Sequence, residues 1–337
     1  MTDRRRVTVR DIASATGLSI ATVSRALNGH ATVTEATRTV VNEAAERLRT
    51  GSHSFRGTVF VRCPYILTDY FGLIVSSIAE TLSLHGRQLV LTAGEAAQRT
   101  PLLADLSGRQ GVAGVIVILP PEPGSALLEL QGRGVPFVVV DPRTTLPRDI
   151  VSVSAAHFAG ARALTGHLVG LGHRRIGVIG GPTEWLVSDA RLAGHNAALA
   201  DVGVLPSPSL LRTVEPTTSQ GYVAASSLLD LPTRPTALVC FNDKVAVGAL
   251  RAALERGLRV PADLSVTGFD DLDLAQATGL TTVRQPLQEM GRMAVTLLIR
   301  LLDRHELDAL HVELATELVV RTSTAPPPSD HPVTRSG

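Results

Sequence analysis

Gly17 constrains the front of this chain more than any other residue. Before it, Thr8 is placed to cap a short helix carrying Ile12, Ala13 and Ala15; after it, Ser19 is placed to cap a second helix that Gly29 ends. Two helices this close need a left-handed residue between them, a conformation that glycine adopts without steric cost. The pattern is a helix-turn-helix.

On the second helix Val23, Ala26 and Leu27 fall on one side, while Ala21, Arg25 and Asn28 recur at i, i+4 and i+7 on the other. One arginine among small and polar groups suits a DNA major groove, where a guanidinium grips guanine O6 and N7 together. Periodicity alone fits an ordinary pair of surface helices equally well.

The stretches Val7 to Ala13 and Ala21 to Gly29 resemble the DNA-binding headpiece of the lactose-repressor (LacI) family of transcription regulators, and the likeness runs on through most of the chain. The resemblance implies that Ile20, Ala21 and Arg25 read base edges, whereas Thr8, Ser19, Thr22, Ser24, Asn28, Thr37 and Arg38 hold phosphates or brace the headpiece. Ile20 and Ala21 stand where family members vary to choose their operators. Their apolar side chains can meet thymine methyls but make no hydrogen bonds, which leaves the polar readout to Arg25.

Charge is distributed accordingly. Residues 1–56 hold nine arginines against five acids, a balance of +4, within a chain whose net charge is +1. Positive charge therefore gathers at the headpiece, as phosphate binding requires. With 337 residues, 44% of them hydrophobic, the chain can bury more than one core. Cys63 and Cys240 have no neighbouring ligand at metal spacing and read as small buried apolar residues. The basic N-terminus leads into the helix-turn-helix and not into an apolar segment, and no run reaches membrane-spanning length. A reduced cytoplasmic setting is expected, with no membrane partner.

Thr34 to Leu48 reads as a third helix, with Val40, Val41, Ala44, Ala45 and Leu48 as its apolar stripe. In the family this helix leads through a tyrosine-x-proline-asparagine segment into a hinge helix that pries open the operator's minor groove. Here residues 49–57 join the third helix almost directly to the next domain, and most of that hinge is missing. The expected coupling between effector and DNA is correspondingly weak, with Leu48 belonging to the headpiece core.

From Gly57 onward apolar runs alternate with helical segments, the pattern of parallel sheets covered on both faces. Two such series predict an α/β body of two lobes around a cleft. The resemblance implies doubly wound parallel sheets of the periplasmic-binding-protein type I fold. The expected divisions are a headpiece at 1–48, a linker at 49–57, a two-lobed effector domain at 58–323 and a disordered tail at 324–337. Lobe 1 takes about 58–157 with 286–309, and lobe 2 takes 158–281 with 310–323.

Ligands of open α/β sheets bind beyond the carboxyl ends of the strands. There Asp141 ends one predicted strand, Asn242 and Asp243 another, and Asp270 and Asp271 a third, all offering acceptors to one crevice. Arg191, read as opening a helix after the Gly180-Gly181-Pro182 turn, has donors enough to bridge vicinal hydroxyls. The resemblance raises Asp141, Arg191, Asn242 and Asp270 to effector contacts and makes Asp243 a helix cap. Aromatics are only 3% of the chain, so the candidates for a sugar-stacking face are Tyr70, Phe71, Phe158 and Trp185. Pro216 occupies the position that sometimes carries an aromatic lid in the family. His173 reads as structural, and the chain shows no nucleophile-base arrangement, phosphate loop, metal box or cofactor motif.

The expected protein is a homodimeric repressor, not an enzyme, that binds a pseudo-palindromic operator in double-stranded DNA and answers to a small molecule, a carbohydrate for choice. A solute-binding protein of the same two-lobed shape is the alternative.

Overall fold

The computed structural model describes residues 8–30, 33–50, 57–107, 109 and 111–328, and of residues 36, 46–50 and 107 the backbone alone. The linker residues 51–56 and the tail from 329 onward lie outside the described residues, as does the side chain of Leu48.

The headpiece consists of α1 (Val9–Thr16), α2 (Ile20–Leu27) and α3 (Glu35–Thr50). Thr8 closes a capping box on α1, its hydroxyl accepting from Asp11 N–H at 3.2 Å while the Asp11 carboxylate accepts from Thr8 N–H at 2.9 Å. Gly17 takes φ +68° and ends the helix, and Ser19 caps α2 through Thr22 N–H at 3.1 Å. Ile12, Ala13, Val23, Ala26, Val41, Ala44 and Ala45 bury one small core. Val40, expected in the apolar stripe, is instead 44% exposed. Its neighbour Val41 takes the inward position, and adjacent helical residues lie about 100° apart.

The body begins with β1 (Thr58–Cys63), α4 (Asp69–Leu84), β2 (Gln88–Ala93), α5 (Glu95–Arg99), α6 (Leu102–Ser107), β3 (Val112–Ile118), α7 (Gly124–Gly132), β4 (Phe137–Val140) and β5 (Ser152–Ala155). It continues with α8 (His157–Gly170), β6 (Ile176–Gly180), α9 (Leu186–Ala200), a 3-10 turn at Pro208–Leu210, β7 (Leu211–Thr213), α10 (Thr218–Leu229), β8 (Ala237–Cys240), α11 (Asp243–Glu255), β9 (Ser265–Thr267) and α12 (Asp273–Ala277). Last come β10 (Thr282–Arg284), α13 (Leu287–Leu302), β11 (His311–Leu314) and β12 (Glu317–Val319).

Lobe 1 is a six-stranded parallel sheet in the order β11-β5-β4-β3-β1-β2, and lobe 2 a four-stranded parallel sheet in the order β7-β6-β8-β9. Strands buried on both faces explain the continuous runs Phe137–Val140 and Ala237–Cys240, in which every residue is buried. Between the lobes β10 pairs antiparallel with β12. The chain thus crosses from lobe to lobe three times, after β5, before α13 and after β11. No helix among the described residues is long and apolar enough to cross a membrane.

Two expected boundaries are corrected. Residues 311–314 were assigned to lobe 2, yet β11 pairs with β5 and forms the edge of the lobe 1 sheet. The tail expected to be disordered from 324 starts as packed chain. Thr324 hydrogen-bonds His167 at 3.0 Å and Thr281 at 3.1 Å, and the Ala325 carbonyl lies 2.8 Å from His173 Nε2. Buried His173 also reaches Thr236 at 2.8 Å, a structural role.

Candidate DNA-binding face and effector cleft

On α2, Val23 and Ala26 point into the headpiece while Ile20, Ala21, Arg25 and Asn28 are exposed. Arg25 is exposed, and among the described residues its side chain bonds through Nε, which donates to the Ala21 carbonyl at 3.1 Å, while its terminal nitrogens have no hydrogen-bond partner there. The hydroxyls assigned to phosphate or bracing are engaged locally. Ser19 meets Thr22 at 2.8 Å, Thr34 meets Thr37 at 2.8 Å, and Asn28 Nδ2 reaches Ser24 at 3.5 Å. Arg38 donates to the His30 carbonyl at 3.3 Å and so braces the turn after α2.

Between the lobes lies a cavity of 390 Å³. Lobe 1 lines it with Tyr65, Tyr70, Phe71, Gln98 and Asp141, and lobe 2 with Trp185, Arg191, Glu215, Pro216, Phe241, Asn242, Lys244 and Asp270. The sole tryptophan, two of the three tyrosines and two of the seven phenylalanines meet here, so a chain poor in aromatics has concentrated them at one wall. Tyr65 stacks on Phe71 with centroids 4.9 Å apart, and Trp185 stands edge-on to Tyr65 at 6.1 Å and to Phe241 at 6.2 Å. Gly181 permits this, because any Cβ there would fall 2.5 Å from the Phe241 ring.

A buried polar chain crosses the floor of the cavity. Asp141 accepts from the Tyr70 hydroxyl at 2.8 Å and contacts His157 Nε2 at 2.8 Å, which joins β4 of lobe 1 to the first residue of α8. Burial opposes the charge on Asp141, but His157 and the two hydrogen bonds outweigh it and hold the carboxyl below its ordinary range. Arg191 sits in the second turn of α9, which begins at Leu186 and not at Arg191 as expected. Its guanidinium lies 3.7 Å over the Phe269 ring and 4.6 Å over that of Phe241, donates to the Phe241 carbonyl at 2.5 Å and approaches His157 Nδ1 at 3.4 Å. Its Nε is buried without a partner.

Asp141 and Asp270 both hold positive φ, +52° and +123°, at the carboxyl ends of their strands. Such strained backbone at strand ends is characteristic of ligand sites. Asp270 lies 4.0 Å from Arg191 and accepts from Gln285 Nε2 at 2.7 Å. Burial raises its carboxyl to about 8, against the pull of Arg191 and with a further push from Asp243. It accepts a hydrogen bond, as the sequence expects, while burial favours its protonated form.

This sets a sign. An acid that keeps its proton in the folded state and loses it on unfolding makes the fold less stable as pH climbs from the ordinary carboxyl range to about 8. Asp270→Asn is expected to flatten the melting temperature between pH 5 and 8, removing up to about 1.4 kcal/mol per pH unit. Parallel profiles for the two proteins would refute the protonated state.

Three expected site residues are placed differently. Phe158 lies outside the cavity and is 44% exposed. Because α8 opens at His157, whose ring turns to Asp141, the next residue is rotated out toward solvent. The cap of α11 is Asn242, which accepts from Val245 N–H at 3.0 Å. Asp243 is buried instead, accepting from Thr282 at 2.6 Å and Leu272 N–H at 3.1 Å. Sequence reasoning missed Tyr65, Gln98, Glu215, Phe241 and Lys244 as lining residues. Extending the strand-end rule to β1 and β8 finds Tyr65 and Phe241.

A wider groove of 720 Å³ runs alongside and shares Thr68, Asp270 and Leu272 with the cavity. Both arginines that line it are paired with acids of the same lining, Arg284 with Asp271 at 2.7 Å and Arg292 with Glu289 at 2.6 Å, and it has no aromatic wall. The aromatic cavity is the better effector site.

Comparison with known proteins supports the division into head and body. Residues 8–49 match the model for bacterial regulatory proteins of the lacI family, and residues 165–324 that for a periplasmic binding protein-like domain. The HTH-type transcriptional repressor CytR of Escherichia coli (strain K12) is 33% identical over 330 residues, covering 94% of this chain and 96% of CytR. The repressor PurR of Proteus mirabilis (strain HI4320) is 30% identical, covering 95% and 98%. Among solved structures, a transcriptional regulator CelR–cellobiose complex superposes with a TM-score of 0.73 at 30% identity over 94% of this chain and all of the other. The lac repressor dimer bound to operator and the anti-inducer ONPF gives 0.72 at 28%, over 95% of this chain and all of that one. Matched in head and body, and to a repressor across nearly the full length of both, the chain belongs to the lacI family of bacterial regulatory proteins.

Proposed function

We propose that this protein is a cytoplasmic, non-enzymatic transcription repressor that binds a pseudo-palindromic operator as a homodimer and responds to a small sugar held between its lobes. One observation carries the reading: a three-helix unit exposing Ile20, Ala21 and Arg25 is joined to a lobed body whose aromatic-walled cavity holds a buried arginine. The names of the relatives support it. CytR and PurR are described as transcriptional repressors, the lac repressor as a dimer on its operator, and CelR as a cellobiose complex. A LacI family regulator from Enterococcus faecium, 26% identical with a TM-score of 0.70, carries bound ribose. Dimerisation follows from the small headpiece, whose few base contacts are doubled by two-fold pairing.

Mobility-shift assays with the intact chain and with a fragment starting at Gly57 test the proposal. Only the intact chain is expected to retard DNA. Retardation by neither would leave a solute-binding protein. The short passage from α3 to β1, residues 51–57, also limits how far lobe closure can displace the headpieces. Saturating effector is expected to change operator affinity by less than about a hundredfold. A larger ratio in the same assay would show full coupling despite the short linker.

A further inference from the structure

Arg143 stands two residues beyond Asp141, in the turn after β4 of lobe 1, and its contacts run to lobe 2. Its carbonyl accepts from Leu186 N–H at 2.8 Å. A terminal guanidinium nitrogen lies 3.1 Å from Glu184 Oε1, and the guanidinium carbon lies 5.5 Å from the centre of the Trp185 ring. The same guanidinium lies near enough to Tyr65, which lobe 1 contributes to the aromatic wall, to oppose the upward push of burial on its hydroxyl. One residue thus ties three consecutive residues of lobe 2 to the wall of lobe 1 without lining the cavity itself.

Those contacts account for an otherwise odd burial. Trp185 is the N-cap residue of α9 at the rim of a cavity, a place where a side chain is ordinarily wet, yet it is only 8% exposed and its Nε1 has no partner among the described residues. A buried unpartnered N–H favours the open, hydrated arrangement. Something must hold the indole down, and beside it stand the rings of Phe241, on its own lobe, and of Tyr65, across the cleft, together with the Arg143 guanidinium. Elsewhere on the lining a long bond also spans the lobes, Lys244 Nζ to Thr68 at 3.4 Å.

We propose that Arg143 is a latch between the lobes, a positioning residue that keeps them closed over the aromatic wall and Trp185 seated before any effector arrives. This rests on reading the cavity as the effector site. The effector then enters through transient release of Arg143, and the fraction of time the latch is open sets how much protein can bind.

Trp185 is the only tryptophan, so emission excited selectively at tryptophan and not at the three tyrosines reports this rim alone. The test compares acrylamide quenching of that emission, without effector, in the parent, Arg143→Ala, Arg143→Lys and Glu184→Gln proteins. Arg143→Ala is expected to raise the quenching constant about twofold or more and to shift emission to the red, as an indole released to water does. Arg143→Lys should fall between, keeping the charge toward Glu184 but losing the planar stack. Glu184 is 56% exposed, so Glu184→Gln keeps the fold and reads the ion pair separately. X-ray scattering should show a larger radius of gyration for Arg143→Ala, a change that a purely local contact would not produce. Quenching equal to the parent in Arg143→Ala, or increased quenching at an unchanged radius, overturns the latch. Neither result bears on whether sugars such as cellobiose or ribose stabilise the parent chain, which separately judges the cavity.

Discussion

Replacing Arg25 with alanine is expected to abolish the intact chain's preference for its operator over unrelated DNA while leaving salt-sensitive binding in place. Arg25 is the charged side chain on the outward face of α2, and a bidentate arginine-guanine pair discriminates by about 1–3 kcal/mol. A dimer uses that pair twice, so the expected loss is roughly 2–6 kcal/mol, on the order of thirtyfold to ten-thousandfold in specific affinity. Folding should not change, because the side chain is exposed and, among the described residues, hydrogen-bonds the Ala21 carbonyl alone. The check is a pair of titrations, operator and scrambled DNA, each across a salt series. Loss on operator alone, with little change in salt slope, marks base readout; equal loss on both DNAs would make Arg25 a phosphate contact.

Arg191→Ala is expected to destabilise the body by about 3 kcal/mol or more and to remove the effector response. The guanidinium fills the space between the Phe241 and Phe269 rings and satisfies the Phe241 carbonyl. Alanine leaves a void there and deprives both rings of their cation. It also removes the positive charge that pulls the Asp270 carboxyl down, so Asp270 should hold its proton to still higher pH. Urea unfolding of the full-length chain reads the first effect. A thermal-shift panel including cellobiose and ribose reads the second: a sugar that raises the parent's Tm should leave the variant unmoved. Arg191→Lys should not rescue, since a point charge cannot stack on two rings. A variant as stable as the parent and still stabilised by sugar would remove Arg191 from the site.

How much of this was legible in the residues depended on distance along the chain. The caps at Thr8 and Ser19 and the turn at Gly17 are local chemistry, and the structure forms them as the sequence predicts. Strands such as Phe137–Val140 announce themselves as apolar runs, and the strand-end rule located Asp141, Asn242 and Asp270 beside one cavity. Phe158 failed because residue type does not say which way a side chain points: α8 opens at His157, whose ring turns to Asp141, and the next helical residue is rotated by about 100° toward solvent. Asn242 both lines the cavity and caps α11, whereas Asp243, expected as the cap, is buried against Thr282 and Leu272; both types suit a cap and only the backbone decides between them. The protonation of Asp270 depends on burial and on Asp243 and Arg191, none of which is a sequence neighbour. Arg143 gave no local signal, because its partners at 65 and 184–186 are brought to it only by the closing of two lobes.

The place of β11 has a consequence for how the molecule is made. The headpiece is finished within the first fifty residues, whereas the sheet of lobe 1 waits for residues 311–314 to cover β5. Domains emerging from the ribosome fold from the N-terminus onward, so a nascent or prematurely terminated chain carries a completed DNA reader on an unfinished sensor with a bare sheet edge. Truncations anywhere before residue 311 should therefore accumulate as aggregating or degraded species, and not as unregulated repressors.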